Sequence, residues 1–500
     1  MIGTDEPPGD WAPEELEKNG QLLLARLREH FAAIRATPVT SDISAAELQR
    51  RIDAPLPEEP TPFEQVLADT WSDVVPHLAL WHHPNFHAYF SNSSSGPAIL
   101  AETLTAALNV NCQQWRTAPA ASAVERLVLR WLAELAGYPA DADGVLVNGA
   151  SLATMYALVA ARDARSELRV RERGLAGRDL PRMRVYTSDQ AHSSVDKAAI
   201  ALGIGLDNVV RLPAGDGLRL DPVALAETLD RDIADGVLPL AVCATAGTTS
   251  TGAIDPVPEL ARVCAERNVW LHVDAAYGGF WRLVERLGPE LADLAAADSV
   301  VVNPHKVLFC PMEVSALYCR RGGALADAFR LVPEYLRTSP DEGSVDYMDH
   351  SLQLGRQFRA LKVWWVVRCF GRAGLARRLT DRVDYADWLR SEAHANPEWT
   401  VAAESVLPLV CLRYDPGTAP PSGVDRREWV DGLNESICAA VHRSGRSFVS
   451  HTVLDTGYVI RVSIGNIQTT GEDIRDLWSL LKETAAQCRD RTSGAPRRTA

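Results

Sequence analysis

Apolar residues in the first 37 positions recur at helical spacing: Leu22, Leu23, Leu27, Phe31 and Ile34 make one stripe on an otherwise polar segment. A proline-rich stretch, APLPEEPTP at 54–62, follows as a linker or extended arm, and a second helix is predicted over 63–80. Two amphipathic helices on such an arm cannot bury their own faces. They are expected to pack on the body of the protein or on a second subunit.

Between about 98 and 370 the pattern changes. Short apolar runs alternate with stretches of helical period: VLVN (145–148), RVYTS (184–188), LAVCATA (240–246), VWLHVD (269–274), SVVVNP (299–304) and VSALYC (314–319), separated by segments such as SLATMYALVAAR, DPVALAETLDRDI and VPELARVCAER. Apolar strands alternating with helices predict βαβ units and a mostly parallel sheet covered on both faces. From about 374 the strand candidates SVLPLVCLRY and YVIRVSIG are separated by helices at roughly 426–442 and 472–488, which reads as a smaller α+β unit. The expected organisation is an N-terminal helical arm (1–97), a large α/β domain (98–373), a small α+β domain (374–488) and a polar, disordered tail (489–500). No internal repeat is visible.

Composition narrows the function. The 500 residues carry 51 Lys+Arg against 65 Asp+Glu, a net charge of −14, and 46% are hydrophobic. That excludes wholesale disorder and argues against a nucleic-acid partner, which needs a basic face. Lysine occurs only at 18, 197, 306, 362 and 482, leaving 51 − 5 = 46 arginines; this bias suggests a GC-rich, bacterial genome. Nine cysteines with no CxxC pair indicate neither a disulfide framework nor a zinc site. No signal peptide and no membrane-length apolar run is found, so a cytoplasmic protein without a membrane partner is expected.

Few amines mean few candidates for amine chemistry. Lys18 and Lys482 fall on amphipathic helices, and Lys197 and Lys362 on helices where a surface position is the simplest expectation. Lys306 differs: it follows the strand SVVVN in NPHK, at a strand's carboxyl end, where open α/β sheets bind ligands. Asp274, in LHVDAAYGG, ends another buried strand. Alone it would be read as an Asx-turn cap. Paired with a lysine one strand away, it can hold a protonated pyridine nitrogen while the lysine forms a Schiff base, which is what pyridoxal phosphate requires. VNGAS at 147–151, a strand, a glycine turn and a helix start at Ala150–Ser151, suits a phosphate. Thr249, in GTTSTG, offers a second hydroxyl-rich loop, and His192, in SDQAHSSV, lies just past a strand end and could stack on a cofactor ring. His305 is open to a similar reading. His82, His83 and His87 have no HExxH helix or carboxylate partner, so no metal is assigned.

In this order HPNFHAYF, SDQAHSSV, HVDAAYGG and NPHK resemble the pyridoxal-phosphate-dependent group II decarboxylases, specifically the aromatic-L-amino-acid decarboxylase family, from about residue 10 to 485. The resemblance implies fold type I (aspartate-aminotransferase-like) with a seven-stranded sheet, and an intertwined homodimer. It implies Lys306 as the Schiff-base lysine, Asp274 as partner of the pyridinium nitrogen and His192 as the ring-stacking histidine. Ala150, Ser151, Thr249, Ser299 and Asn303 match positions around the cofactor. Tyr347 matches the mobile-loop tyrosine that separates decarboxylation from aldehyde formation, in a polar stretch, PDEGSVDYMD, suited to a lid. Trp81, Tyr89 and Phe90 match aromatic pocket positions. The chain departs from the family where AYFSN replaces AYFPT, bringing Asn92, and where NCQQW replaces an apolar-Gly-Phe-x-Trp stretch, bringing Asn111 and Gln113. These amides, with His305, are expected to line the substrate pocket. The expected function is decarboxylation of an L-amino acid, aromatic with a polar ring, to the amine and carbon dioxide. The alternatives are an aldehyde synthase on the same scaffold, a decarboxylase of a non-aromatic amino acid, and a catalytically silent binding protein.

Overall fold

In a computed structural model of the chain, residues 10–291, 293–331 and 344–492 are described. Among the described residues, twelve strands form two sheets. The first strand, β1, is Phe86–His87. The large sheet comprises β2 (Asp143–Val147), β3 (Met183–Ser188), β4 (Val209–Leu212), β5 (Leu238–Thr245), β6 (Trp270–Asp274), β7 (Ser299–Val302) and β8 (Ser315–Cys319). Their order is β2-β8-β7-β6-β5-β3-β4. The ladders β7-β6-β5-β3-β4 are parallel, and β8 runs antiparallel to both its neighbours. The central strands are apolar on both faces because helices cover both: Val300, Val301 and Val302 are completely buried. Burying such a side chain contributes roughly 1.5–3 kcal/mol. The one strand of this sheet missing from the sequence reading, β4, is a four-residue edge strand interrupted by the exposed Arg211; β1 and the two strands of the small sheet at Trp399–Ala403 and Phe448–Leu454 were not expected either.

The small sheet has the order β1-β11-β12-β10-β9, with β9 Trp399–Ala403, β10 Leu409–Tyr414, β11 Phe448–Leu454 and β12 Gly457–Ser463. Its helices are Arg426–Arg443 and Gly471–Thr492. The N-terminal segment is part of this unit: β1 pairs in parallel with β11, and the Val39 N–H donates to the Gly445 carbonyl at 2.8 Å. The arm holds the long helix Pro13–Ala33. An unexpected short helix, Ala45–Ile52, follows, and the helix predicted over 63–80 is α-helical only over Phe63–Asp69, continuing as a π-helical stretch (Thr70–Val74) and a 3-10 turn to His77, where Pro76 cannot donate an α-helical hydrogen bond. The expected boundary at 373/374 falls inside one helical segment, Ala360–His394, broken at Gly371, whose φ of 62° lies in the left-handed region.

Lys362 departs from expectation. It is buried rather than on the surface, with its Nζ 3.0 Å from Glu102 Oε2. The core of the large domain closes around it because one face of the helix carrying it packs on the helix Gly96–Leu108.

Candidate active site

The carboxyl ends of five strands of the large sheet, β2, β3, β5, β6 and β7, deliver their groups to a common cavity. After β2, Asn148 and Gly149 lead into the helix Ala150–Asp163. Gly149 has φ 122° and ψ 158°, a conformation only glycine adopts without strain. The turn directs the free N–H groups of the helix start, at Ala150 and Ser151, along the cavity wall. After β3, the Nδ1 of His192 accepts the Ser194 N–H at 3.1 Å, which fixes the ring. Burial pushes this imidazole below its ordinary value, Asp274 pulls it up and Lys306 pushes it down, so the three groups share one electrostatic environment. After β5 comes Thr249, whose carbonyl accepts the Nε–H of Arg461 at 2.8 Å. After β6, Asp274 lines the cavity and its Oδ1 also accepts the Ala276 N–H at 3.0 Å. The Asx-turn reading and the cofactor reading of this residue are therefore compatible. Behind it Gly278 is obligatory: a Cβ there would lie 2.1 Å from the Ala246 carbonyl oxygen.

After β7, Asn303 stands at the N-cap position of the short helix Pro304–Val307, which carries His305 and Lys306, and its side chain makes no capping bond. Burial pushes the Lys306 amine below its ordinary value, opposed by the Asp274 carboxylate. The amine stands 4.6 Å from the centroid of the Phe90 ring, and the Arg461 guanidinium 4.9 Å from the same centroid. Phe90 stacks on Tyr277 at 4.0 Å.

The cavity has a volume of about 300 Å³ and adjoins a second of about 570 Å³, walled by Trp81, Tyr89, Phe90, Asn92, Met312, Phe448 and Arg461. His192, Thr249, His305 and Lys306 border both. Trp81 and Tyr89 stack at 5.4 Å, and Tyr89 is held with φ 53°. Its N–H donates to Ser450 Oγ and its carbonyl accepts from Arg461.

The donor set of the smaller cavity fits pyridoxal phosphate. The buried Asn148 Oδ1, Asn303 Oδ1 and Tyr277 hydroxyl have no protein partner, and a cationic amine faces a carboxylate beside an open helix start.

Four expected residues lie elsewhere. Ser299 starts β7 rather than ending it, and its Oγ bonds Trp270 Nε1 at 2.8 Å and His272 Nδ1 at 2.9 Å. It does not reach the cofactor cavity because a strand's first residue lies a strand length from its carboxyl end. Tyr347 is buried with its ring 5.1 Å from the Arg356 guanidinium, beside a different cavity bordered by Arg126, Asp143, Tyr318 and His350. The buried Arg356–Glu125 pair anchors that segment. Asn111 and Gln113 bond each other, Nδ2 to Oε1 at 2.9 Å, and Asn111 Oδ1 accepts the Arg356 N–H. Neither lines the two cavities. Gly343 and most of the polar stretch before Tyr347 lie outside the described residues.

Sequence reasoning missed Arg461, 3% exposed, with its Nη2 unpartnered. A charge between apolar residues in YVIRVSIG was the available signal, since a strand hides such a charge only where something pairs with it. Asn148, inside the quoted VNGAS, was passed over.

A lysine and a carboxylate on neighbouring strand ends, beside a helix start and within a seven-stranded mixed sheet, define a pyridoxal-phosphate enzyme of fold type I. The pyridoxal-dependent decarboxylase conserved domain matches residues 46–415, and the chain belongs to that family. A phenylacetaldehyde synthase from Rosa hybrid cultivar is 32% identical over 484 residues, 95% of this chain and 94% of the relative. Tyrosine decarboxylase 4 from Petroselinum crispum is 32% identical over 489 residues, 96% of this chain and 95% of the relative. The crystal structure of Oryza sativa TDC with PLP and tryptamine matches with a TM-score of 0.91 and 30% identity, covering 97% of this chain and 99% of that one. These are plant proteins and lend no support to the bacterial source expected from the arginine-rich composition. Among the described residues, no helix is long and apolar enough to cross a membrane.

Proposed function

We propose that the chain decarboxylates an aromatic L-amino acid to the amine and carbon dioxide. One observation carries the reading: the cavity holding Lys306, Asp274 and His192 opens directly into one walled by Trp81, Tyr89 and Phe90. When bound, the cofactor supplies an electron sink for the bond broken at the substrate's Cα. The chain's own groups do the rest. Lys306, with its lowered amine, would hold the cofactor through its Nζ. Asp274 keeps a proton on the pyridine nitrogen through its negative charge. His192, on the cavity wall, would cover the face of the cofactor ring. The free Nη2 of Arg461 offers a cation to the substrate carboxylate in a site shielded from water. Asn92 is the one amide of the expected three that borders the aromatic cavity, and it supports a ring with a polar substituent. The test is an assay of amine and carbon dioxide release over tryptophan, tyrosine, dihydroxyphenylalanine, phenylalanine, histidine and glutamate. Release confined to glutamate would remove the aromatic assignment.

The second reading, an aldehyde synthase, is favoured by the rose relative, which is as similar as the parsley decarboxylase. The group that chooses between the two is expected to be a loop tyrosine. Of the two tyrosines between 320 and 360, Tyr347 is committed to Arg356, and Tyr335 lies outside the described residues. We assign the choice to Tyr335. Tyr335→Phe should shift product from amine toward aldehyde, ammonia and hydrogen peroxide, whereas Tyr347→Phe should leave the product ratio unchanged. The reverse result restores Tyr347.

A homodimer and a cytoplasmic location belong to the same proposal. Leu16 and Leu24 on the arm, and Leu100 and Leu108 on the helix Gly96–Leu108, are more than half exposed, an apolar surface that a second copy would cover. Eight of the nine cysteines are buried and all are unpaired, as suits a reducing compartment. Light scattering of the purified protein tests the dimer; a monomer at micromolar concentration removes it.

A further inference from the structure

The turn that delivers His192 is held from outside by one side chain. Between the end of β3 at Ser188 and the helix Ser194–Ala201, the chain crosses residues 189–193 in an exposed turn, closed by the Ala191 N–H on the Ser188 carbonyl at 3.1 Å. Arg211, on the edge strand β4, stands opposite Thr187 in the parallel ladder. Its Nη1 donates to the Ser188 carbonyl at 3.2 Å and to the Ala191 carbonyl at 3.5 Å, and its Nη2 donates to the Asp196 carboxylate. One guanidinium therefore gathers the strand end, the residue before His192 and the first turn of the following helix. The Asp189 N–H, donating to the Leu212 carbonyl at 2.9 Å, ties the same turn to β4 a second time. An exposed arginine–carboxylate pair contributes about 0–1 kcal/mol, so stability does not account for this arrangement. A charge on an edge strand also discourages pairing with other sheets, but any charge serves that purpose. Reaching two carbonyls and a carboxylate at once takes the rigid planar fork of arginine.

We infer that Arg211 is a positioning residue for His192: it clamps the turn between β4 and the helix start, and so sets where the imidazole meets the cofactor ring. The inference rests on the proposed role of His192. Arg211 borders neither cavity and acts through the backbone of the turn. The last link is the Ser194 N–H, at the start of the clamped helix, which donates to His192 Nδ1 at 3.1 Å. A backbone N–H only donates, so the neutral ring carries its hydrogen on Nε2. The clamp thus fixes both the place of the ring and the backbone group that orients it.

The experiment titrates pyridoxal phosphate into the full-length apoenzyme. It reads affinity together with the visible circular dichroism of the bound cofactor, which reports how the ring is seated. Arg211→Met keeps the apolar stem and removes every donor. It should weaken cofactor binding about three- to tenfold, the loss of one net hydrogen bond or so, and reduce the dichroism per bound cofactor. The melting temperature of its apoenzyme should stay within about 2 °C of the parent, because an exposed pair adds little stability. Asp196→Ala removes one of the three contacts and should move both readouts the same way by less; it decides the matter if Arg211→Met does not fold. Arg211→Lys keeps a charge on the sheet edge without the fork and should recover only part of the loss. Full recovery in Arg211→Lys, or parental affinity and dichroism in Arg211→Met, would overturn the clamp. If His192→Ala itself leaves both readouts unchanged, it is the role of His192 that fails. If His192→Ala alters them and the Arg211 variants do not, only the clamp fails.

Discussion

The cofactor side and the substrate side of the site are built on different plans. On the cofactor side, the groups ride on the carboxyl ends of β2, β3, β5, β6 and β7, and each lies within a few residues of the strand that aims it. On the substrate side, Trp81, Tyr89 and Asn92 come from the end of the N-terminal arm, Met312 from the turn before β8, and Ser450 and Arg461 from the small sheet. Parallel strands share a direction, so motifs scattered over more than 150 residues converge without further instruction. The substrate wall depends on how the small unit docks and on β1 joining β11. The lesson is that chemistry requiring exact mutual placement sits on the regular scaffold, while the part that chooses substrate sits where the chain can vary.

The difference can be broken at measurable points. The largest effect is expected at Lys306. Lys306→Ala should abolish turnover by several orders of magnitude and remove the residue onto which borohydride fixes the cofactor, as read by peptide mapping. A label on Lys197 in the parent chain would undo the cofactor side altogether. Lys362 is unsuited to that role, since Glu102 already occupies its amine.

On the substrate side the strongest effect should come from Arg461→Met. Removing a buried cation that binds the Thr249 and Tyr89 carbonyls should raise KM about ten- to a hundredfold. The effect on kcat should be smaller, and the borohydride label should stay on Lys306. An equal fall in cofactor labelling would mean that the two sides are not separable.

Acid sharpens the comparison through stability. Burial pushes His87, His272 and His305 down to about 4 in the folded chain. Between pH 6.5 and 4 the unfolded chain therefore takes up protons that the folded chain refuses, and stability falls as pH falls. The melting temperature of the apoenzyme should drop steadily over that window. His272→Gln, if folded, should flatten the drop; an unchanged slope would show that His272 titrates normally.

The smallest effect is expected at Asn111 and Gln113. Because they bond each other outside both cavities, Asn111→Ala and Gln113→Ala should change kcat/KM by no more than about threefold, the range of ordinary surface substitutions. A larger change with one substrate only would bring them back to the substrate wall, across a subunit boundary.

Most of the cofactor side was legible in the sequence. Lys306, Asp274, His192, Ala150, Ser151, Thr249 and Asn303 share one cavity, and each follows an apolar strand whose end could be read from composition alone. Ser299 was misplaced because a motif match says that a residue matters and not at which end of its strand it works. Tyr347 was expected at the substrate from a motif match, and hydropathy does not show that its ring packs against Arg356, which a buried pair with Glu125 holds in place. Arg461 was overlooked because its partners, the carbonyls of Tyr89 and Thr249, are hundreds of residues away in the chain.

By itself, the sequence determined the alternation of strands and helices, the parallel sheet, and hence a ligand site at the strand ends with one amine opposite one carboxylate. These follow from local periodicity and from the geometry of parallel strands, which hold whatever surrounds them. Tertiary structure alone decided that Phe90 lies between Lys306 and Arg461, that Asn111 turns to Gln113 and not to a substrate, and that Lys362 is buried. Those outcomes are set by which distant surfaces meet and by which polar groups must find partners once water has been excluded, and neither is encoded in the order of neighbouring residues.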